Sequence, residues 1–210
     1  MSNYELHENN VVTVCGKIAS PFKFSHEVFG ERFFITNVSI ERASGVEDII
    51  PAIISERLVD VSNDHTGEYV EIHGQFRSHN CNKEGCRHLF LAVFIREILF
   101  VGDVNEQYPL NQIFLDGYIC KTPVYRKTPM GREIADVLLA VNRPYGKSDC
   151  IPCICWGRDA RYIGDLDVGE HIAVYGRIQS RLYTKKFPDG STEERTVYEV
   201  SVGTLEVIEE

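Results

Sequence analysis

The amino-acid sequence contains the same pattern twice, at a spacing of about 101 residues. Gly67-Glu-Tyr-Val-Glu-Ile-His-Gly and Gly169-Glu-His-Ile-Ala-Val-Tyr-Gly lie 102 positions apart, and Asp48-Ile-Ile-Pro and Asp149-Cys-Ile-Pro lie 101 apart. The offset of 101 also relates Gly16, Gly30, Arg42 and Arg57 to Gly117, Gly131, Arg143 and Arg158. A repeat of this length predicts two copies of one domain. We place them at residues 1–104 and 111–210, with a linker over 105–110.

Each copy has the pattern of five short strands. In the second copy, Ile113, Leu115, Gly117 and Ile119 alternate with other residues, which is typical of a half-buried strand. Further strands are predicted over about 132–142, 149–156, 170–183 and 195–207, with a short helix over 158–165. Many short strands with glycine at the bends favour a closed antiparallel barrel. The predicted fold class is all-β, with two tandem five-stranded barrels related by duplication.

Alternation along the fourth strand of the second copy separates two faces. The residues predicted to point inward are Ile172, Val174, Gly176, Ile178 and Leu182. Those predicted to point outward are His171, Ala173, Tyr175, Arg177, Gln179, Arg181 and Tyr183. On the third strand, Trp156 lies on the face opposite Cys153 and Cys155. Aromatic and basic side chains therefore alternate on one predicted surface.

Such a surface suits a single-stranded nucleic acid, whose bases stack on flat rings and whose phosphates contact cations. The predicted stacking residues are Tyr145, Trp156, Tyr175 and Tyr183. The predicted phosphate contacts are Arg126, Arg143, Arg158, Arg177, Arg181, Lys185 and Lys186. The alternative is structural: Trp156 closes the end of the barrel, and the two strand tyrosines are ordinary surface residues.

The motifs at 139–145, 149–158 and 169–183 make the second copy similar to the OB-fold core of the bacterial single-stranded DNA-binding protein family. The resemblance implies stacking at Tyr145, Trp156 and Tyr183. Cys150 stands at a further position that is aromatic in the family, and Arg126 at one that is basic. The first copy has Ser44, Ser55 and Cys81 at the three stacking positions and Glu71 on the same face. We therefore expect a degenerate first domain with weak or no stacking.

The resemblance implies sequence-tolerant binding of single-stranded DNA in replication, recombination or repair, and a homodimer that brings four OB folds together. The family's acidic C-terminal tip is not expected here, because the sequence ends at Val207-Ile-Glu-Glu. The alternative is a protein–protein module of a replication-restart or mobile-element complex, from conjugation or phage, with vestigial DNA binding. A third possibility is RNA, because stacking surfaces discriminate weakly between sugars.

Composition and motifs exclude several other classes. The net charge of −9 argues against a general polyanion binder. The sequence contains no run of about 18 apolar residues, so it predicts no membrane-spanning helix. An odd count of seven cysteines favours a reducing cytoplasm. The family resemblance implies association with the bacterial nucleoid there. The phosphate-binding loop, nucleophile-elbow and zinc-protease motifs are all missing. We expect no enzyme activity and no cofactor.

One group of cysteines and histidines lies on a predicted hairpin of the first domain. If the hairpin is centred between Lys83 and Glu84, Cys81 faces Cys86 and His79 faces His88. Four such side chains on one face resemble the ligand set of a zinc site. The alternatives are a reversible disulfide or solvated, reduced cysteines, and the last is the expectation. A second pair, Cys150 and Cys153, would point to opposite faces of a strand and so is not expected to bind metal.

Overall fold

A computed structural model of the chain describes residues 8–42, 44–83, 86–102, 111–187 and 189–209; side chains at 80–83, 86–88 and 186 are not described. The linker predicted over 105–110 lies outside these ranges. The elements are β1 (Asn10–Ile18), β2 (Lys23–Val28), β3 (Glu31–Glu41), β4 (Glu47–Ser55), β5 (Tyr69–Lys83), β6 (Cys86–Val101), β7 (Asn111–Lys127), β8 (Glu133–Arg143), β9 (Lys147–Trp156), α1 (Gly157–Gly164), β10 (His171–Lys186) and β11 (Thr192–Val207). The described part of the chain contains no helix that could cross a membrane.

The strands close into two barrels, which confirms the predicted fold class. In the first barrel, β1 pairs with β3 and β5, β3 with β4, and β5 with β6; a parallel pairing of β4 with β6 closes the ring. In the second barrel, β7, β8, β9, β11 and β10 follow the same order, again with one parallel pairing, β9 with β11. The helix predicted over 158–165 is α1, and the first barrel has turns at that place.

Glycine explains how the long strands β5 and β10 bend. A Cβ atom at Gly74 would collide with the carbonyl oxygen of Phe94, and one at Gly176 with that of Ser201. The pairing register shifts at these same glycines, between His73 and Gly74 and between Tyr175 and Gly176. A bulge at a residue without a side chain lets the strand turn sharply and still remain paired. Each long strand therefore belongs to its barrel at one end and to a projecting hairpin at the other.

The two barrels are related by an approximate twofold axis. Strand β1 pairs antiparallel with β7, so one sheet runs through both barrels, and Val12 lies opposite its repeat counterpart Ile113. Asn10 bonds both backbone groups of Phe76, and its counterpart Asn111 bonds both backbone groups of Ile178 in the second barrel. The duplicated halves therefore pair as two subunits of a symmetric dimer would.

Two reciprocal clamps hold the barrels together. The buried carboxylate of Asp48 in the first barrel accepts hydrogen bonds from Ser180 N at 2.7 Å and Ser180 Oγ at 3.1 Å in the second. Arg42 binds Asp48 through two nitrogens at 2.6 Å and also donates to the Ser180 carbonyl. The counterparts Asp149 and Arg143 make the same contacts to Ser78. We call these the Asp48 clamp and the Asp149 clamp.

Candidate nucleic-acid interface

Trp156 is fixed as a half-exposed ring at the mouth of the second barrel. It is the last residue of β9, and the chain turns into α1 at Gly157, whose φ of 57° suits glycine. The indole Nε1 donates a hydrogen bond to Ser201 Oγ on β11 at 3.1 Å, and 38% of the residue stays exposed. A satisfied indole nitrogen and an open ring face leave Trp156 able to stack on a base.

A concavity of about 440 Å³ lies beside this ring. Its lining contains four arginines and four other residues: Arg42, Arg132, Arg177, Arg181, Trp156, Gln179, Ser180 and Ser201. Arg42 comes from the first barrel and reaches this place through the Asp48 clamp. We call this the arginine concavity. It combines an aromatic surface with several cations, so its local charge is opposite to the net charge of −9.

Arg177 and Arg181 keep part of their hydrogen-bonding capacity. Arg177 Nη1 lies 3.8 Å from an Asp48 oxygen and, among the described residues, is the buried side-chain atom that has no hydrogen-bond partner. Burial, followed by the charge of Arg42, lowers the pKa of Arg177, although an arginine remains charged at neutral pH. Arg181 donates one long bond of 3.4 Å to Glu199, and half of its side chain is exposed. Both side chains remain partly exposed, Arg177 at 39% and Arg181 at 51%, so a phosphate oxygen could accept hydrogen bonds from their solvent-facing nitrogens.

Tyr145 is the most exposed of the predicted stacking residues. It lies in the short turn between β8 and β9, where Tyr145 and Gly146 both have positive φ values, 65° and 68°. Its exposed fraction is 99%, so the ring contributes almost no packing. Tyrosine seldom adopts this left-handed conformation, because its Cβ is crowded there. Strain of this kind is more common at functional sites than elsewhere.

Tyr183 and the lysines lie on the projecting β10–β11 hairpin, and Tyr175 lies apart from the arginine concavity. Tyr183 is half-buried and pairs in register with Arg195. Lys185 places its Nζ 4.9 Å from the Phe187 ring centre, and the side chain of Lys186 lies outside the described residues. The ring of Tyr175 packs on Phe114 at 4.8 Å, near the junction of β7 with β1.

Three predicted phosphate contacts are placed elsewhere. Arg143 is held in the Asp149 clamp and donates to the Ser78 carbonyl of the first barrel, so its predicted phosphate contact stays a prediction. Arg126 makes two hydrogen bonds to Asp136, and Arg158 is exposed on the first turn of α1, near Asp159. The structure instead adds two arginines that sequence reasoning missed, Arg42 and Arg132. The repeat already matched Arg42 to Arg143, but only the twofold arrangement shows that each arginine serves the other barrel.

Three side chains of β10 differ in burial from the prediction, and one of them is Ala173, which was predicted to point outward and is buried. Leu182, predicted to point inward, is 69% exposed, because β10 has left the barrel at that point and no core lies beneath it. Gln179, predicted to be on the wet face, is buried and donates to the buried carboxylate of Glu199 at 2.7 Å. Alternation identifies a common face, and burial then depends on what covers that face.

The zinc candidate falls largely outside the described side chains. The backbone register pairs Cys81 with His88 and Lys83 with Cys86, so the predicted pairings of Cys81 with Cys86 and His79 with His88 are wrong. The hairpin turns one position later than predicted. Side chains of Cys81, Cys86 and His88 are not described, and no metal-binding group occurs among the residues that are.

Two cysteines of the second barrel pack as small apolar residues. Cys153 and Cys155 are buried in the second barrel, as the strand pattern predicted. Burial, and secondarily Asp159, raises the pKa of Cys155 to about 12, so this thiol is not ionised at neutral pH. Cys150, at the position where the family resemblance expects an aromatic ring, is half-buried. The structure therefore has no ring at that position.

Comparisons with known proteins agree with this geometry. The single-stranded DNA-binding proteins of Halalkalibacterium halodurans and Bacillus subtilis (protein A) are each 37% identical over 81 residues; these matches cover 35% of this chain and 48% and 47% of those proteins. The chain therefore spans about half the length of the curated relatives it matches.

A solved structure, the wild-type single-stranded DNA binding protein from Thermus aquaticus, has the same fold with a TM-score of 0.72 at 19% identity, over 96% of this chain and 93% of that one. The profile described as the single-strand binding protein family matches residues 110–208, the barrel that carries Trp156. The second barrel is therefore similar to the single-strand binding protein family over almost its whole length.

Proposed function

We propose that the protein binds single-stranded DNA with little sequence preference, mainly through the second barrel, and acts in DNA replication, recombination or repair. The observation that carries this proposal is the arginine concavity, where a half-exposed indole lies among four guanidinium groups. Flat rings stack on any base, and arginines bind phosphate without reading sequence. The proposed activity is binding and not catalysis.

The proposed contacts divide by chemistry. Trp156, Tyr145 and Tyr183 stack on bases, with Tyr175 as a fourth ring further along the barrel. Around Trp156, the phosphates bind to Arg42, Arg132, Arg177 and Arg181. Arg126, Arg158, Lys185 and Lys186 provide outer contacts along the path of the strand. Arg143 has the same clamp geometry as Arg42 but reaches the first barrel, where it donates to the Ser78 carbonyl, so it is not among the contacts around Trp156.

The single tryptophan of the chain allows a direct test. Titration of the full chain with oligo-dT should quench Trp156 fluorescence to a plateau, and the midpoint should move to higher oligonucleotide concentration as salt is added. A duplex of the same length is the control and should quench far less, because its bases are already stacked. Absence of quenching at low salt would remove the proposal. Competition with a matched RNA oligomer distinguishes DNA from RNA preference.

We further propose that two copies associate, which would bring four barrels together as the family resemblance implies. The internal twofold arrangement supplies two of these barrels within one chain. Light scattering after size-exclusion chromatography should give twice the mass of the 23.9 kDa chain, about 48 kDa. A mass of one chain across the accessible concentration range would contradict the dimer. We place the protein in the cytoplasm, associated with the nucleoid.

A further inference from the structure

The first barrel carries aromatic rings of its own, at positions different from those of the second barrel. The rings of His26 and Phe33 are parallel within 10° at 5.1 Å, and Phe33 lies 5.7 Å from Phe94. The guanidinium carbon of Arg77 lies 4.0 Å from the Phe94 ring centre. These four residues, from β2, β3, β6 and β5, form one continuous stack, which we call the aromatic ladder.

The twofold axis relates the ladder to the arginine concavity. Ser55 is the repeat counterpart of Trp156, and Phe33 is the cross-strand partner of Ser55. Phe94 occupies the place that Ser201, the hydrogen-bond partner of Trp156, has in the second barrel, since the two parallel pairings match there. The first barrel thus lacks the ring at the end of β4 but has rings on the strands to either side.

The arginines, like the rings, occupy different positions in the two barrels. The counterpart of Arg177 is Gln75, but Arg77 lies two residues further along the same face of β5 and bonds Gln75 Oε1 at 2.8 Å. Arg143 donates a hydrogen bond to the carbonyl of Ser78, the residue that follows Arg77. Burial, and secondarily the charge of Arg143, lowers the pKa of Arg77. Arg143 thus approaches the ladder from the second barrel, as Arg42 approaches Trp156 from the first. Both faces therefore combine flat rings, a guanidinium of their own barrel and a clamp arginine from the other.

The ladder is open enough to accept a ligand. His26 is exposed at its outer end, and Phe33, Phe94 and Arg77 are each only partly buried. Nearby carboxylates already have cationic partners: Asp149 binds Arg143, and Glu31 lies 3.4 Å from Arg57. A stack of rings that ends in an exposed imidazole offers its outer face to another planar group.

We propose that the aromatic ladder is a second binding site for single-stranded nucleic acid, in which a base stacks beside His26 and Phe33 and a phosphate contacts Arg77. The inference rests on the proposed function, because it assigns the same class of ligand to the first barrel. The proposal revises the expectation that the first domain has weak or no stacking. Residues without rings stand at the family's stacking positions, but His26, Phe33 and Phe94 provide rings at other positions. One chain then presents two unlike faces to the same strand.

The test moves the fluorescent reporter to the ladder. In the full chain carrying Trp156→Phe, the substitution Phe33→Trp leaves one indole, within the ladder. Oligo-dT too short to span both barrels should quench this indole, and added salt should weaken the effect. Adding Phe94→Leu removes the ring that packs between Phe33 and Arg77 and so supports both proposed contacts; it should raise the midpoint about fivefold, as expected for the loss of about 1 kcal/mol. If Phe33→Trp fails to fold by circular dichroism, His26→Trp places the indole at the exposed end.

The matched control is Phe100→Leu in the same background. Phe100 is on the same strand as Phe94, about 20 Å away at roughly 3.3 Å per residue, and packs on His65 at 4.8 Å near acidic side chains. Phe100→Leu should leave the midpoint of the oligo-dT titration unchanged. If wild-type Trp156 is quenched but the ladder indole is not, the second site is wrong and the proposed function stands. If neither indole is quenched, both the second site and the proposed function are wrong. Equal effects of the two leucine substitutions would also overturn the second site.

Discussion

Tyr145 allows stability and binding to be separated, because the same substitution should change them in opposite directions. The residue has a φ of 65° and is 99% exposed. A non-glycine residue in the left-handed region costs about 1–2 kcal/mol, and asparagine tolerates that region better than tyrosine. Tyr145→Asn should therefore stabilise the fold by up to about 1 kcal/mol, or about 2–4 °C in Tm for a chain of this size. No buried packing is lost in exchange.

The same substitution removes a proposed stacking ring. One base–aromatic stack is worth about 1–3 kcal/mol, so the dissociation constant for oligo-dT should rise by about 5- to 150-fold. Thermal denaturation followed by circular dichroism gives the first quantity, and Trp156 quenching at fixed salt gives the second. Tyr145→Phe retains both the ring and the strain, so it should leave both quantities nearly unchanged.

A second control lies in the first barrel. Phe29 has a φ of 51°, is fully exposed and precedes Gly30, in the same turn geometry between β2 and β3. Phe29→Asn should raise Tm by a similar amount without changing the affinity that Trp156 reports for a short oligonucleotide. A lower Tm for Tyr145→Asn would refute the strain argument. An unchanged dissociation constant would remove Tyr145 from the binding surface.

Three further predictions concern the arginine concavity and the clamps. Arg132→Ala should reduce the slope of log Kobs against log salt by about 0.7, the value for one phosphate contact to a single strand; an unchanged slope would exclude Arg132. Asp48→Asn should cost about 3–5 kcal/mol in urea denaturation, because it leaves Arg42 half-buried without its carboxylate partner; a loss below about 1 kcal/mol would refute the clamp. Burial alone would raise the pKa of Asp48, but the bonds from Arg42 and Ser180 outweigh burial and hold it below its ordinary value. The stabilisation should thus be present above the unfolded pKa of about 3.9 and be lost as pH falls through the lower folded value. Tm measured against pH should show that loss in the wild type, and a smaller one in Asp48→Asn.

The sequence predicted the parts of the fold that depend on local pattern. Alternating apolar residues located β7 to β11, and the repeat transferred that assignment to the first barrel, except that two strands, β1 and β2, stand there in place of β7. The short helix predicted over 158–165 is present as α1 (Gly157–Gly164). The prediction for Leu182 was wrong because alternation continues along a strand after the barrel beneath it has ended. Local pattern gives the direction of a side chain, but only tertiary structure gives what covers it.

The candidate site was only partly predictable, because it depends on contacts between distant parts of the chain. Trp156, Arg177 and Arg181 were found from strands close together in sequence. Arg42 joins them only because the barrels pair through β1 and β7, and no local signal gives that arrangement. The aromatic ladder was missed for the same reason, since its residues come from four strands and match no motif position.

The two halves of the chain have diverged at their surfaces but not at their junction, and the physics of each place explains the difference. Each clamp buries a carboxylate of one barrel against a serine of the other, so loss of either partner leaves an unpaired buried group in both barrels. A stacking ring makes no buried ion pair across the junction, and a ring on a neighbouring strand can replace it, as we propose for Phe33 and Phe94 beside Ser55. In a dimer of identical chains, any such exchange would appear on both faces at once. A duplicated chain is free of that restriction, so its two barrels can hold the same strand with different residues and different strengths.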